Sequence, residues 1–281
     1  MEKKILIPTN FTKHAWNTLV YALNLYKNIP CTFFILNAYE VPTRITLSRN
    51  YNAELEAAKA KSEKGLQKIL QGLNFRKENE KHQFKTISRN KDLAEAMQEC
   101  IDAHNIDLIL MVSRGENVSI NAAFENEISE VTEKVEDCPF LILPEQMQEL
   151  PESNREIVFP TNYKFPFKNK EVSVLIDMTI NLNASIRILY IDSDSRPLTK
   201  EQEQNKETLK TYFAEVDFSF HRLTQTTVTT GVHLFIESRE SNFLALYKRK
   251  QGFFSKLFSQ RFKEDIDFNP KVPVLILKEL K

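Results

Sequence analysis

Glycine is scarce in this chain, with five in 281 residues. A function that wraps main chain closely around phosphate oxygens has very few of the residues that permit such an approach. Cysteine is rarer still. Cys31, Cys100 and Cys138 are odd in number, widely spaced and set in or beside apolar runs. They read as core thiols, which argues against a disulfide framework or a cysteine metal site. The five histidines (His14, His82, His104, His221, His233) show no metal-ligand spacing. His14, near the end of the first strand, reads as a surface residue at a helix start. There is no Gly-x-Ser-x-Gly elbow, Walker A lysine motif, Cys-x-x-Cys or His-Glu-x-x-His. The residues therefore give no support for catalysis. Net charge is also lacking: Lys plus Arg number 38 and Asp plus Glu number 38. That removes any global electrostatic reason to expect nucleic acid or a membrane as partner. No apolar run approaches membrane-spanning length. The chain enters a strand directly after Lys4 with no basic and apolar leader pattern before it, so the expected location is the cytoplasm.

What is present is a repeat. Residues 5–11 (ILIPTNF) return as residues 157–163 (IVFPTNY), 152 positions later. The run 107–112 (DLILMV) is echoed at 242–247 (NFLALY), and 138–143 (CPFLIL) at 272–277 (VPVLIL). The reading is two domains, 1–145 and 157–281, joined by a polar linker, 146–156, that carries Pro151. Each half is long enough to bury its own core.

Within the first half, short continuous apolar runs at Ile5–Pro8, Cys31–Tyr39, Leu108–Val112 and Phe140–Leu143 read as buried parallel strands. Gln83–Ser88 is a weaker third strand. Residues 41–50 have no periodicity and read as a loop. Helical spacing gives a face at Ala15, Trp16, Leu19, Val20 and Leu23, capped by Thr12. A long helix spans Tyr51–Leu73. Further helical faces fall at Leu93, Met97, Cys100 and Ile101, and at Phe124, Ile128, Val131 and Val135. The second half repeats the alternation, with strands at Ile157–Pro160, Ala184–Ile191, Phe218–Leu223, Phe243–Tyr247 and Val272–Leu277. Its helix faces are Val172, Leu175, Ile176 and Ile180, a helix capped by Thr199 with Gln202 at the capping-box position, and Val228, Val232, Phe235 and Ile236. Strict β-α-β alternation predicts an α/β fold, a parallel sheet with helices on both faces in each half.

These motifs resemble the universal stress protein family in tandem form. Residues 4–12 (KILIPTNFT) stand where the family has a strand ending in Pro-Thr-Asp-Phe-Ser. Residues 107–115 (DLILMVSRG) stand where it has Asp-Leu-Ile-Val-Met-Gly-Thr-His-Gly, and 138–144 (CPFLILP) where it has Cys-Pro-Val-Leu-Val-Val-Pro. The resemblance covers nearly the whole chain. It implies two Rossmann-like domains of the adenine nucleotide alpha hydrolase type, each with a five-stranded parallel sheet. It also implies that the two halves pair through their last strands, and it leaves open a homodimer of the fused chain.

Part of that family binds ATP through Gly-x-x-Gly, nine residues, then Gly-Ser or Gly-Thr. The four positions fall here on Val112, Gly115, Glu125 and Asn126, so one of four is kept. Glu125 would bring a carboxylate toward the phosphates, where two charges a few ångströms apart repel by roughly 1–4 kcal/mol. The family's strand-end Asp is Asn10 here and Asn162 in the second half. In that half the loop positions are Tyr247, Lys250, Gln260 and Arg261. The residual nucleotide-site candidates are Thr9, Asn10, Ala38, Met111, Ser113, Gly115 and Asn126. A second candidate surface is the acid-free basic run around Phe253 and Phe254. Its residues Lys248, Arg249, Lys250, Lys256 and Arg261 suit an anion or an acidic partner. The expectation is a non-catalytic stress or regulatory protein acting on protein partners, with no resident cofactor or metal and no nucleic-acid or membrane partner. The rival readings are an ATP or other adenine-nucleotide sensor in the first half, and an anion- or acidic-partner-binding module on the basic run.

Overall fold

The computed structural model describes residues 2–41, 51–112, 128–144, 151–192, 197–248 and 271–279. The chain forms two compact units. Unit 1 comprises Met1–Val112 and Val131–Cys138, and Pro139–Lys281 belongs to unit 2. The last strand of the first sequence repeat is thus counted with unit 2.

In unit 1 the strands are β1 (Lys3–Pro8), β2 (Cys31–Tyr39), β3 (His82–Asn90) and β4 (Leu108–Val112), in the order β3-β2-β1-β4. All neighbours are parallel, with Lys3 opposite Cys31 and Ile5 opposite Leu108. The helices are α1 (Lys13–Leu25), α2 (Tyr51–Asn74) and α3 (Leu93–His104), and the short α4 is Ser129–Lys134. Position in the sheet explains the sequence patterns. Central β1 buries Ile5, Leu6 and Ile7, and β4 is apolar and buried from Leu108 to Met111. Outer β3 has a single buried residue, Ile87. It touches a neighbour on one side only, which is why its apolar signal is weak.

Unit 2 holds β5 (Phe140–Leu143), β6 (Arg155–Pro160), β7 (Ala184–Asp192), β8 (Asp217–Thr224), β9 (Phe243–Lys248) and β10 (Val274–Lys278). Their order is β5-β10-β9-β6-β7-β8. Every pair is parallel except β5 with β10, which is antiparallel with Leu141 opposite Leu275. The helices are α5 (Asn169–Leu182), α6 (Lys200–Tyr212) and α7 (Val228–Arg239). The expected face of α5 needs correction at Ile180, which is exposed. The buried stripe runs through Val172, Leu175, Thr179 and Leu182, and Ile180 lies roughly 120° around the helix from its centre at 100° per residue.

Helix ends follow local chemistry. Asp92 caps α3 by accepting from the Ala94 and Glu95 amides, and Asn105 closes it in the left-handed conformation. Thr12 and Thr227 cap α1 and α7. Thr199 and Gln202 form the reciprocal capping box of α6. Trp16 packs on α2 at Gly72, where an added Cβ would stand 2.9 Å from the indole. Among the described residues no helix is long and apolar enough to cross a membrane. All three cysteines are buried and outside any disulfide. Burial pushes the Cys31 thiol up to about 12 and the Cys100 thiol up to about 11, so neither is a thiolate near neutral pH.

At the start of β6, a charged network crosses three adjacent strands. Glu156 accepts from Arg187 Nε at 2.8 Å and from Arg239 at 2.6 and 2.9 Å. Arg187 also donates to Ser219, which is 2.8 Å from His221. Burial, then the charges of Arg239 and Arg187, hold the His221 pKa below 6.5. The unfolded chain therefore binds that proton more tightly than the folded one. Stability is expected to be complete above pH 6.5 and to fall as the pH drops below it. His221→Gln should flatten this part of a denaturant-midpoint-against-pH curve, and an unchanged slope would refute the assignment.

Candidate functional site

In a parallel sheet the crevice for ligands opens where the strand order reverses, outside the C-terminal strand ends. In unit 1 that point lies beside β1 and β4. Thr9 continues β1 by donating its amide to Leu36 O at 2.8 Å. Asn37, buried in β2, donates Nδ2 to Thr9 O at 2.7 Å. Thr9 Oγ1 accepts from the Phe11 amide, and Asn10 Oδ1 accepts from both the amide and the hydroxyl of Thr12. The turn places Phe11 at φ 64°. This left-handed conformation costs a non-glycine residue about 1–2 kcal/mol. The Thr9 and Asn10 side-chain bonds offset that strain without glycine.

The structure thus brings Thr9, Asn10, Ala38 and Met111 to the C-terminal edge of β1, β2 and β4. Ser113, Gly115 and Asn126 lie outside the described residues. Asn10 is exposed and its oxygen is engaged with Thr12. What it offers outward is an amide donor, suited to a base or ribose oxygen and unsuited to a cation. The Phe11 ring lies against Gly65 of α2, where an added Cβ would stand 2.4 Å from Phe11 Cζ.

Unit 2 builds the same backbone turn. Thr161 donates its amide to Leu189 O at 2.9 Å. Thr161 Oγ1 accepts from the Tyr163 amide, Asn162 Oδ1 accepts from the Lys164 amide, and Tyr163 has φ 54°. The repeat also extends to the strand starts. The Lys4 amide donates to Asp107 Oδ2, and the Glu156 amide donates to Asn242 Oδ1.

The surroundings of the second turn differ. Gln202 and Asn205, buried on α6, donate to the carbonyls of Asn162 and Tyr163, each at 2.7 Å. Tyr163 is 2% exposed and stacks on Tyr190 with ring centroids 5.5 Å apart. Burial, with the charge of Glu203 behind it, pushes the Tyr163 phenol well above its usual range. Arg222 pairs with the buried Asp192 at 2.8 Å and lies over Tyr190. Tyr247, which stands where the nucleotide-binding members have their first glycine, is buried with its ring 5.0 Å from Phe167. These side chains pack on one another around the strand-end turn of unit 2. The sequence signals for Gln202 and Phe167 were present but point elsewhere, the first to a capping box and the second to a Pro-containing loop. Tyr163 and Asn205 carry no local signal.

Of the basic run, Lys248 ends β9 beside Lys278 of β10. Arg249, Lys250, Lys256 and Arg261 lie outside the described residues. Among the described residues, no group of three or more His, Cys, Asp or Glu is placed to hold a metal ion.

Comparison with known proteins matches this arrangement. The model of the universal stress protein family matches residues 1–143. No curated protein matches the chain. Among solved structures, a universal stress protein from Archaeoglobus fulgidus is similar at 14% identity and TM-score 0.63, over 99% of this chain and 97% of that one. A functionally unknown protein from Pseudomonas aeruginosa PAO1 aligns at 14% identity and TM-score 0.62, over 98% and 92%. The cytoplasmic domain of a prokaryotic cation chloride cotransporter aligns at 10% identity and TM-score 0.53, over 99% and 96%. At such identities the structural likeness is one of fold. The family match spans more than half of the sequence, and the second repeat rebuilds the strand-end turn of the first: the chain belongs to the universal stress protein family, in its tandem form.

Proposed function

We propose that this chain serves in the stress response as a non-catalytic protein of the cytoplasm, acting through association with other proteins and not through ATP turnover. The observation that supports the reading is the packing around the strand-end turn of unit 2. Tyr163 stacks on Tyr190, Gln202 and Asn205 bond the turn carbonyls, and Tyr247 is buried. Displacing them would expose apolar rings and leave two buried amides unpaired, each at a cost of about 1–3 kcal/mol. The glycine-poor loop of the first repeat supports the same reading.

A second reading has one observation in its favour. Unit 1 keeps Thr9, Asn10, Ala38 and Met111 together at the strand ends, with Asn10 exposed, which suits an adenine-nucleotide sensor, with or without slow hydrolysis. The two readings part in one experiment. Freshly purified protein is denatured and any released small molecule identified by mass. Its melting temperature is then followed against ATP, ADP and AMP with magnesium. A ligand at a hundred times its Kd adds about 2.7 kcal/mol of stability. The expected result is no released nucleotide and a flat titration. A co-purified nucleotide, or a melting temperature that climbs with concentration, would put the sensor reading first.

A further inference from the structure

Unit 1 has a second concave feature, at the opposite edge of its sheet from Thr9 and Asn10. A cavity of about 1300 Å³ opens where α1 and α2 end and β3 begins. Its floor is apolar, made by Leu23, Leu70, Leu73 and Phe84. Its rim carries Lys27, Arg76, Lys77 and Lys81 against two carboxylates, Glu78 and Glu80. Phe75 stands on the same rim and is 92% exposed. An aromatic ring held in water forfeits roughly 1.5–3 kcal/mol of burial free energy, which a bound apolar group would recover.

The rim is built and not merely crossed by the chain. Asn79 Nδ2 donates to Lys27 O at 2.9 Å, and Lys81 Nζ donates to Asn28 O at 3.0 Å. His82 Nε2 is 3.1 Å from Tyr26 O. These bonds tie the connection after α2 to the connection after α1 and hold the walls apart. Lys27, Arg76 and Lys77 make no side-chain ion pair or hydrogen bond among the described residues. Their charge is therefore available to an incoming group.

Size and charge choose the occupant. Small-molecule pockets run to about 300–1,000 Å³ and converge a few polar groups on the ligand. This cleft is larger, its polar groups stand at the rim, and its floor is purely apolar. It suits a stretch of polypeptide more than a metabolite. Four cations against two carboxylates favour an acidic stretch. We propose that the groove lined by Leu23, Leu70, Leu73 and Phe84 docks a partner protein through an extended acidic segment bearing an aliphatic or aromatic anchor. The anchor seats on the apolar floor beside Phe75, and flanking carboxylates meet Lys27, Arg76 and Lys77. This assignment rests on the protein-association reading and gives it a site and a partner chemistry.

The test uses the full chain and a fluorescein-labelled peptide, Asp-Glu-Leu-Asp-Phe-Glu-Leu-Asp, followed by fluorescence anisotropy at low salt. Saturable binding is expected. It should weaken at least tenfold in Lys27→Glu/Lys77→Glu, whose residues are exposed and whose melting temperature should match the parent. It should weaken comparably in Phe75→Ala. A control peptide with Gly in place of Leu and Phe should bind at least tenfold less tightly. Equal binding of the control, equal binding to the charge-reversed variant, or no binding would each overturn the groove. So would self-association of the chain that the same charge reversal abolishes, since the occupant would then be a second copy. Nucleotide titration of the same preparation keeps the two claims apart. Peptide binding together with ATP binding would sink the nucleotide-free reading and leave the groove standing. A flat peptide titration would sink the groove whatever the nucleotide result.

Discussion

Tyr163→Ala is expected to destabilise unit 2 by about 3–5 kcal/mol, the range for truncating a fully buried aromatic side chain. The same change at Phe11, its counterpart in the first repeat, should cost less than half as much. Both residues sit at positive φ in the same turn. Phe11 is 37% exposed and rests on Gly65, whereas Tyr163 is 2% exposed and packed on Tyr190. Truncation at Tyr163 also leaves the Tyr190 ring facing a void. Trp16, the single tryptophan, lies in unit 1, so its fluorescence follows that unit while far-UV circular dichroism follows both. In Tyr163→Ala the dichroism transition should begin at lower denaturant than the fluorescence transition. Tyr163→Phe keeps the ring and should stay within about 1 kcal/mol of the parent. A Tyr163→Ala protein whose dichroism midpoint equals the parent's would mean that the crevice of unit 2 is not held by this ring.

Glu156→Ala should cost about 2–4 kcal/mol, because it strips the shared carboxylate from two arginines and leaves Arg187 charged in a place with little water. The side chains of Glu156 and Arg187 are 12% and 17% exposed. Arg239 is more open, so solvent screens its share and Arg187 carries most of the loss. The same network makes an acid prediction. Burial by itself would raise the Glu156 pKa. The hydrogen bonds and charges of Arg239 and Arg187 outweigh burial and hold it below 4.5. A carboxyl lowered in the folded state contributes stability that is present above its ordinary value. That contribution is lost as the pH falls through the lowered one. The acid limb below pH 4.5 should therefore be shallower in Glu156→Gln than in the parent. If both variants unfold at the parent's denaturant midpoint at neutral pH, the network contributes nothing and the charges are only a solvated edge.

The sequence by itself determined the two repeats, the parallel strands and the Thr12 cap. Each of these rests on local rules: apolar runs of strand length, helical spacing, and a hydroxyl that reaches the first free amides of a helix. It determined as well that the glycine pattern for phosphates is gone, since that is a matter of which residue types stand at four positions. The weak third strand is β3, whose place at the sheet edge leaves only Ile87 buried. Only the tertiary structure decided what became of the two crevices. Phe11 and Tyr163 share a turn and a backbone conformation, yet one is half open and the other sealed. The difference comes from α2, which offers Gly65, and from α6, which offers Gln202 and Asn205, about 40 residues or more along the chain in each case. The convergence of Arg187 and Arg239 on Glu156 is of the same kind. Contacts between residues distant in sequence leave no periodicity behind them, so their chemistry becomes legible only when the fold has brought the partners together.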